Sequence, residues 1–290
     1  MNNETRKPIV LISTILFKTP LETLMKSFSV LQRNSSAFEY RIVIVDNDNG
    51  NQKDEFTEVV EKSFPADFNG KITYVPSANI GFGRGHNLAF NTCKDDSFDY
   101  FLIINPDGVL NTDTIDILLE TAKNKNDNGL FEAIQFPREH PKEYDPKTLE
   151  THWCSGCCMM APKAVYADIG GFDDDLFMYC EDVDISWRAR IAGYKCYTAN
   201  TALFAHYVDV STRDLTFMTR EMNRSGLILA CKYGNKMFAD FCVKALKSMI
   251  SEAEIQNIID TTKKYDTDFL EKSKNVTDFN HFFSFGRVRW

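Results

Sequence analysis

Acidic side chains at two places in this chain have the setting for chemistry. Glu181, Asp182 and Asp184 begin the segment 180–192, whose pattern predicts a helix, and they follow Gly170-Gly171 and the run Asp173-Asp174-Asp175. A carboxylate held where a loop enters a helix is placed rigidly enough to act as a general base. Upstream, Asn105-Pro106-Asp107 comes straight after the apolar run Tyr100-Phe101-Leu102-Ile103-Ile104. Hard oxygen ligands at a strand end suit Mg²⁺ or Mn²⁺ bridging a diphosphate. A type I turn with proline at its second position would use the same residues. Two acidic sites suggest a divided task, in which one holds a metal and the other moves a proton.

Other polar positions add to these. Asp46 closes an apolar run in Val45-Asp46-Asn47-Asp48. Its carboxylate can accept from a base N–H or a ribose hydroxyl, although Asn47-Asp48-Asn49-Gly50 is also a strong turn sequence. The segment 79–87, NIGFGRGHN, places glycines at the start of a helix, where backbone can approach a ligand and Arg84 could face a diphosphate. It lacks both the G-x-G-x-x-G spacing and the phosphate-loop lysine. His206 ends a short apolar strand, downstream of the acidic helix. Cys154, Cys157 and Cys158 are close together, but no second Cys/His pair follows at zinc-finger spacing. The eight cysteines read as buried, reduced thiols of a cytoplasmic protein.

The elements that must position these residues alternate. Strands are expected at 8–17, 41–45, 71–75 and 100–104, with helices at 21–31, 54–63, 85–93 and 112–123. Continuous apolar strands separated by helices imply a parallel sheet covered on both faces. Ligands of such sheets bind at the carboxyl ends of the strands. Further strands are expected at 131–136, 153–160, 195–199 and 203–206, and helices at 162–169, 180–192 and 215–233. From 236 onward the pattern is helical, with Phe238, Phe241, Cys242, Ala245, Leu246, Met249 and Ile250 on one face. Helices at 252–263 and 266–273 follow.

The 290 residues are 43% hydrophobic and 26% charged, with 23 Phe, an ordinary globular composition with a Phe-rich core. A net charge of −8 argues against nucleic acid as the main partner. No apolar run approaches the roughly 20 residues of a membrane-spanning helix. The start of the chain reads as a first strand, not a signal peptide. The last ten residues, HFFSFGRVRW, combine aromatics with arginines and suit either a membrane interface or packing on the body.

In this order, the segments ending in LFKTP, VDND, NIGFGRGHN, INPDG and GGFDDDLFMYCEDVDISWRARIAGYK resemble the family 2 glycosyltransferases with the GT-A fold, nearest to bacterial rhamnosyltransferases of surface polysaccharide synthesis. The resemblance covers about residues 8 to 235. It implies a Rossmann-like α/β fold, with a mostly parallel central sheet between helices, over residues 1–235, and a helical extension over 236–290. Asp46 would bind the nucleotide base, with Leu16 and Phe17 in the same pocket. Asn79, Gly81, Arg84, Asn105 and Arg188 would line the nucleotide-sugar site. Asp107 and His206 would hold the divalent metal, and Asp182 would be the catalytic base of an inverting transfer. Asn105 stands where the family's metal motif begins with Asp, so the metal would rest on one acidic side chain there. The donor implied is dTDP-rhamnose or a UDP-sugar. The acceptor implied is a glycan or a lipid-linked oligosaccharide at the inner face of the cell membrane, which leaves peripheral membrane contact and a homodimer open. A sugar nucleotidyltransferase and a non-catalytic sugar-nucleotide-binding scaffold are the alternatives.

Overall fold

The computed structural model describes residues 6–33, 37–137, 139, 142–206 and 214–279. The sequence of elements is β1 (Ile9–Leu16), α1 (Leu21–Arg33), β2 (Glu39–Asp46), α2 (Lys53–Ser63), α3 (Ala66–Asn69), β3 (Ile72–Pro76), α4 (Phe82–Thr92) and β4 (Tyr100–Ile104). These four strands are parallel, in the order β3-β2-β1-β4. The chain adds strands on one side of β1 and then crosses to its other side for β4, so the crevice at the carboxyl ends of β1 and β4 is a topological switch point. Both faces of β1 are covered. Val10, Ile12 and Leu16 join one apolar cluster with Phe28 of α1, and Leu11 and Ile15 join another with Ala89 and Phe90 of α4. That two-sided burial is why the strand is an unbroken apolar run.

The second half is β5 (Gly108–Leu110), α5 (Thr114–Asn124), β6 (Gly129–Phe136), β7 (Glu150–Thr151), β8 (Cys158–Pro162), α6 (Lys163–Asp168), α7 (Glu181–Ile191), β9 (Lys195–His206) and α8 (Leu215–Lys232). It extends the sheet beyond β4 in the order β8-β6-β9-β5, with β8 antiparallel to β4 and to β6 and with β6 parallel to β9. The sheet is thus mixed where a parallel one was expected. The two short strands expected at 195–199 and 203–206 are the single strand β9, whose pairing with β6 shifts register between Ala133 and Ile134. The shift absorbs the polar residues that had looked like a break. The strand expected at 153–160 is ordered as a strand only from Cys158.

Helices α9 (Lys236–Leu246), α10 (Glu252–Thr261) and α11 (Thr267–Ser273) complete the described chain. Phe238, Cys242 and Leu246 bury one face of α9, while Phe241 and Met249, expected on that face, stay partly exposed. A third apolar cluster runs across residue 236, joining Trp153, Val183 and Trp187 to Phe238, Leu246, Ile255 and Phe279. Among the described residues no helix is long and apolar enough to cross a membrane. The aromatic-basic tail lies outside the described residues.

Candidate active site

A cleft of about 570 Å³ opens at the switch point. Phe17 and Lys18 reach it from the end of β1, and Asn105 and Asp107 from the end of β4. Glu181 and Asp182 reach it from the first turn of α7, and His206 from the end of β9. Asp214, Phe217 and Met218, at the start of α8, form a further wall. Sequence separations of up to about 200 residues are closed by the sheet, because every contributing strand or helix ends on the same edge.

Asp182 is buried, and its carboxylate is held on both oxygens. Oδ2 accepts from the Gly156 N–H at 3.2 Å, and Oδ1 accepts from the Val183 N–H at 2.9 Å. The backbone leading into α7 is left-handed at two successive non-glycine residues, Tyr179 (φ 69°) and Cys180 (φ 62°). Such geometry is costly for L-residues and persists only when the surroundings impose it. Here Ser225 of α8 imposes it in part, donating from Oγ to the Met178 carbonyl at 2.7 Å. The result is an acidic first turn aimed into the cleft.

Across the cleft, Asp107 Oδ1 and His206 Nε2 lie 3.0 Å apart. Gln135 Oε1 lies 2.9 Å from His206 Nδ1, and the Gln135 amide donates to Ser155 Oγ at 3.0 Å. The donation from Gln135 leaves its Oε1 as the acceptor, so His206 carries a proton on Nδ1 and turns Nε2 toward Asp107. Asn105 Oδ1 is buried with no hydrogen-bond partner. Sequence reasoning missed Gln135 and Ser155, and the signal for them was poor: both are polar residues in segments read as ordinary strands.

The structure brings Phe17, Asn105, Asp107, Asp182 and His206 together at this cleft. It does not bring the other expected residues to it. Leu16 is buried in the core. Asp46 is fully buried, and its carboxylate accepts from the Asp48 N–H, the Gln52 N–H and the Tyr74 hydroxyl, at 2.8, 3.0 and 2.7 Å. Burial and that bond to Asp46 push the Tyr74 hydroxyl well above its ordinary range. Arg188 donates to Asp184 Oδ2 at 2.7 Å and to the carbonyls of Ile169 and Gly171 at 2.5 and 2.6 Å.

The segment 79–87 is not a phosphate loop but a clamp. Its helix begins at Phe82, three residues before the expected start, so Gly83 and Gly85 lie inside α4 against Phe172 and Ile15. Asn87 Nδ2 donates to the Phe172 carbonyl at 2.8 Å, and Asn87 Oδ1 accepts from the Phe172 N–H at 2.9 Å. Arg84 Nε donates to the Asp174 carbonyl at 2.6 Å. His86, fully buried beside Ser13, is pushed down to about 3 by burial and is neutral at pH 7. Asn79 Oδ1 accepts from the Gly81 N–H at 3.3 Å. Gly81 itself has φ 89°, and a Cβ there would sit 2.2 Å from the Phe177 carbonyl oxygen. We expect Gly81→Ala to lose about 2–4 kcal/mol, the sum of left-handed strain and overpacking. Urea unfolding would measure it, and an unchanged midpoint would mean that the 177–180 segment yields freely.

Beneath the acidic turn lies a buried ionic network. Lys232 Nζ is 2.5 Å from Asp173 Oδ2 and 2.6 Å from Asp184 Oδ1. Tyr233 donates to Asp184 at 3.0 Å, and Tyr265 to Asp173 at 2.6 Å. Burial opposes the charge on both carboxylates, yet the Lys232 ammonium, joined at Asp184 by the Arg188 guanidinium, holds them below the usual carboxylate range. The network fastens α7 to α8 and to the 3₁₀ turn Thr262–Lys264, next to Tyr265.

Residues 21–186, more than half of the chain, match the family described as glycosyl transferase family 2. The rhamnosyltransferase WbbL of Escherichia coli K12 is 24% identical over 216 residues, covering 62% of this chain and 77% of that protein. An N-acetylglucosaminyl-diphospho-decaprenol L-rhamnosyltransferase of Mycobacterium tuberculosis is 32% identical over 71 residues, 24% of this chain and 23% of that protein. Among solved structures, the mannosyltransferase PcManGT of Pyrobaculum calidifontis, in complex with GDP-Man and Mn²⁺, superposes with a TM-score of 0.61. It is 13% identical, with 93% of this chain and 86% of that chain covered. GalNAc-T7 with UDP, GalNAc and Mn²⁺ gives a TM-score of 0.66 at 10% identity, covering 97% and 56%. These neighbours share the GT-A fold, and the chain belongs to glycosyltransferase family 2.

Proposed function

We propose that this glycosyltransferase moves a sugar from a nucleoside-diphosphate sugar, dTDP-rhamnose or a UDP-sugar, to a hydroxyl of a glycan or lipid-linked acceptor, with inversion at the anomeric carbon. The observation that carries this reading is the convergence of Asp182 with the Asp107–His206 pair on one cleft. Asp182 accepts the proton of the acceptor hydroxyl as that oxygen attacks the anomeric carbon. The Gly156 and Val183 N–H groups fix the plane of its carboxylate, so the base is oriented before substrate arrives. A single displacement from the side opposite the leaving group inverts the configuration, through an oxocarbenium-like transition state. The likeness to rhamnosyltransferases supports rhamnose as the sugar, and the mycobacterial relative's name supports a diphosphate-linked acceptor. We assign the reaction to the cytoplasmic face of the membrane, a reading supported by the eight unpaired cysteines.

The residues at the far side of the cleft fit Mg²⁺ or Mn²⁺. Asp107 and the Nε2 of His206 would be the protein ligands, with the unpartnered Asn105 Oδ1 beside them. Among the described residues no group of three His, Cys, Asp or Glu is placed to hold an ion, so the remaining ligands would be diphosphate and water oxygens. When bound, the metal would act as a Lewis acid that neutralises the leaving diphosphate. Gln135 fixes the orientation of His206 in this scheme. We expect Gln135→Leu to weaken apparent Mn²⁺ affinity about 10–100-fold, read from the Mn²⁺ dependence of donor hydrolysis. An unshifted dependence would remove Gln135 from that role.

The assignment is tested by nucleotide release from a panel of dTDP- and UDP-sugars, with Mn²⁺ and with EDTA. One donor is expected to release its nucleoside diphosphate slowly, and EDTA to suppress the release. Neither release nor nucleotide binding with any donor would sink the reading.

A further inference from the structure

A second cavity, also of about 570 Å³, lies between α8 and α10. Its polar lining is Arg220, Glu221 and Arg224 from α8 with Glu254 and Asn257 from α10, beside Ile258. Both carboxylates are already engaged. Glu221 Oε1 faces Arg220 Nε at 3.0 Å, and Glu254 Oε2 accepts from the N–H and Oγ of Ser251 at 2.9 and 2.7 Å. Arg224 and Asn257 make no side-chain hydrogen bond or ion pair among the described residues. The unspent chemistry is therefore that of a donor: the full guanidinium fork of Arg224 and the outer nitrogens of Arg220. Two like charges one helical turn apart repel unless an anion lies between them. Guanidinium forks match phosphate oxygens in geometry as well as charge.

Phe217, Arg220, Glu221 and Arg224 fall at helical spacing on one face of α8. Phe217 also walls the catalytic cleft, and the Arg220 guanidinium lies over its ring, 5.3 Å from the centroid. One side chain thus separates the two cavities. At 1.5 Å of rise per residue, Arg220 and Arg224 stand about 4.5 and 10 Å along the axis from Phe217, the scale of one or two sugar rings. This basic pair sits apart from the Asp107–His206 end of the cleft, to which the donor diphosphate is assigned.

We infer that the Arg220–Arg224 cavity receives the phosphates of a prenyl-diphosphate-linked acceptor, whose sugar extends past Phe217 to Asp182. The inference rests on the acceptor reading above and adds the residues that select such an acceptor.

The test is calorimetric titration of the full chain with farnesyl diphosphate in EDTA, for wild type, the Arg220→Gln/Arg224→Gln double variant and Asp107→Asn. The double variant is expected to bind about tenfold or more weakly, through loss of charge-assisted contacts. Asp107→Asn is expected to bind as wild type does. Inorganic diphosphate and phosphatidylglycerol vesicles identify the source of the phosphate. Competition by inorganic diphosphate supports the proposal. Arginine-dependent binding to vesicles without binding of farnesyl diphosphate overturns it in favour of a lipid headgroup site. Equal binding by wild type and the double variant, no binding by wild type, or loss only in Asp107→Asn overturns it as well. Arginine-dependent binding together with a silent donor panel would leave this site standing while the donor assignment fell.

Discussion

Asp182→Asn is expected to reduce sugar transfer by about 10²–10⁴-fold, the usual contribution of a positioned general base, and to leave donor binding intact. Asparagine fills the same space but cannot take the acceptor's proton. It also turns an amide toward one of the two N–H groups, of Gly156 and Val183, that now meet carboxylate oxygens. That mismatch costs about 1 kcal/mol locally, too little to unfold a chain of this size. Nucleotide-sugar affinity and turnover, measured on the same preparation, separate the two effects. A variant that turns over at the wild-type rate would take the base role away from Asp182.

Lys232→Met is expected to destabilise the fold by about 3–5 kcal/mol, because it leaves two buried carboxylates without their shared cation. Asp173 and Asp184 both lie within ion-pair distance of that ammonium. Their folded-state pKa values lie below the unfolded value of about 3.9. Their contribution is therefore complete above that pH and is lost as pH falls through the depressed folded values. In Lys232→Met this dependence is expected to reverse, so that mild acid relieves part of the defect by protonating a stranded carboxyl. Urea unfolding at neutral pH and near pH 5 would show it. A loss under about 1 kcal/mol, or one independent of pH, would mean that water reaches the network.

Much of the architecture could be read from residue order because the parallel strands are apolar on both faces. Tyr100–Ile104 and the catalytic-edge residues that follow it are local features. The segment 153–157 was misread as strand for a definite reason. Its residues are buried, but its backbone donors go to side chains and not to a neighbouring strand. The Cys154 N–H donates to Ser186 Oγ at 3.0 Å, the Ser155 N–H to Glu132 Oε2 at 2.6 Å, and the Gly156 N–H to Asp182 Oδ2 at 3.2 Å. Apolar patterning reports burial and is silent on which group accepts a hydrogen bond. The clamp role of 79–87 was hidden likewise, since Asn87 and Arg84 find their partners 85 and 90 residues away. Gly-rich sequence before a helix reads as a phosphate site until the packing of Gly83 on Phe172 is seen.

The ionic network also bears on how this protein can be recombined. The family-matched stretch ends at residue 186, so it includes Asp173 and Asp184 but not Arg188, Lys232 or Tyr265. A chimera joined at that limit would carry two interior anions into a host with no cations waiting for them. Viable breakpoints lie beyond Tyr265, and exchange of acceptor preference between relatives must move α8 together with the acidic helix it neutralises.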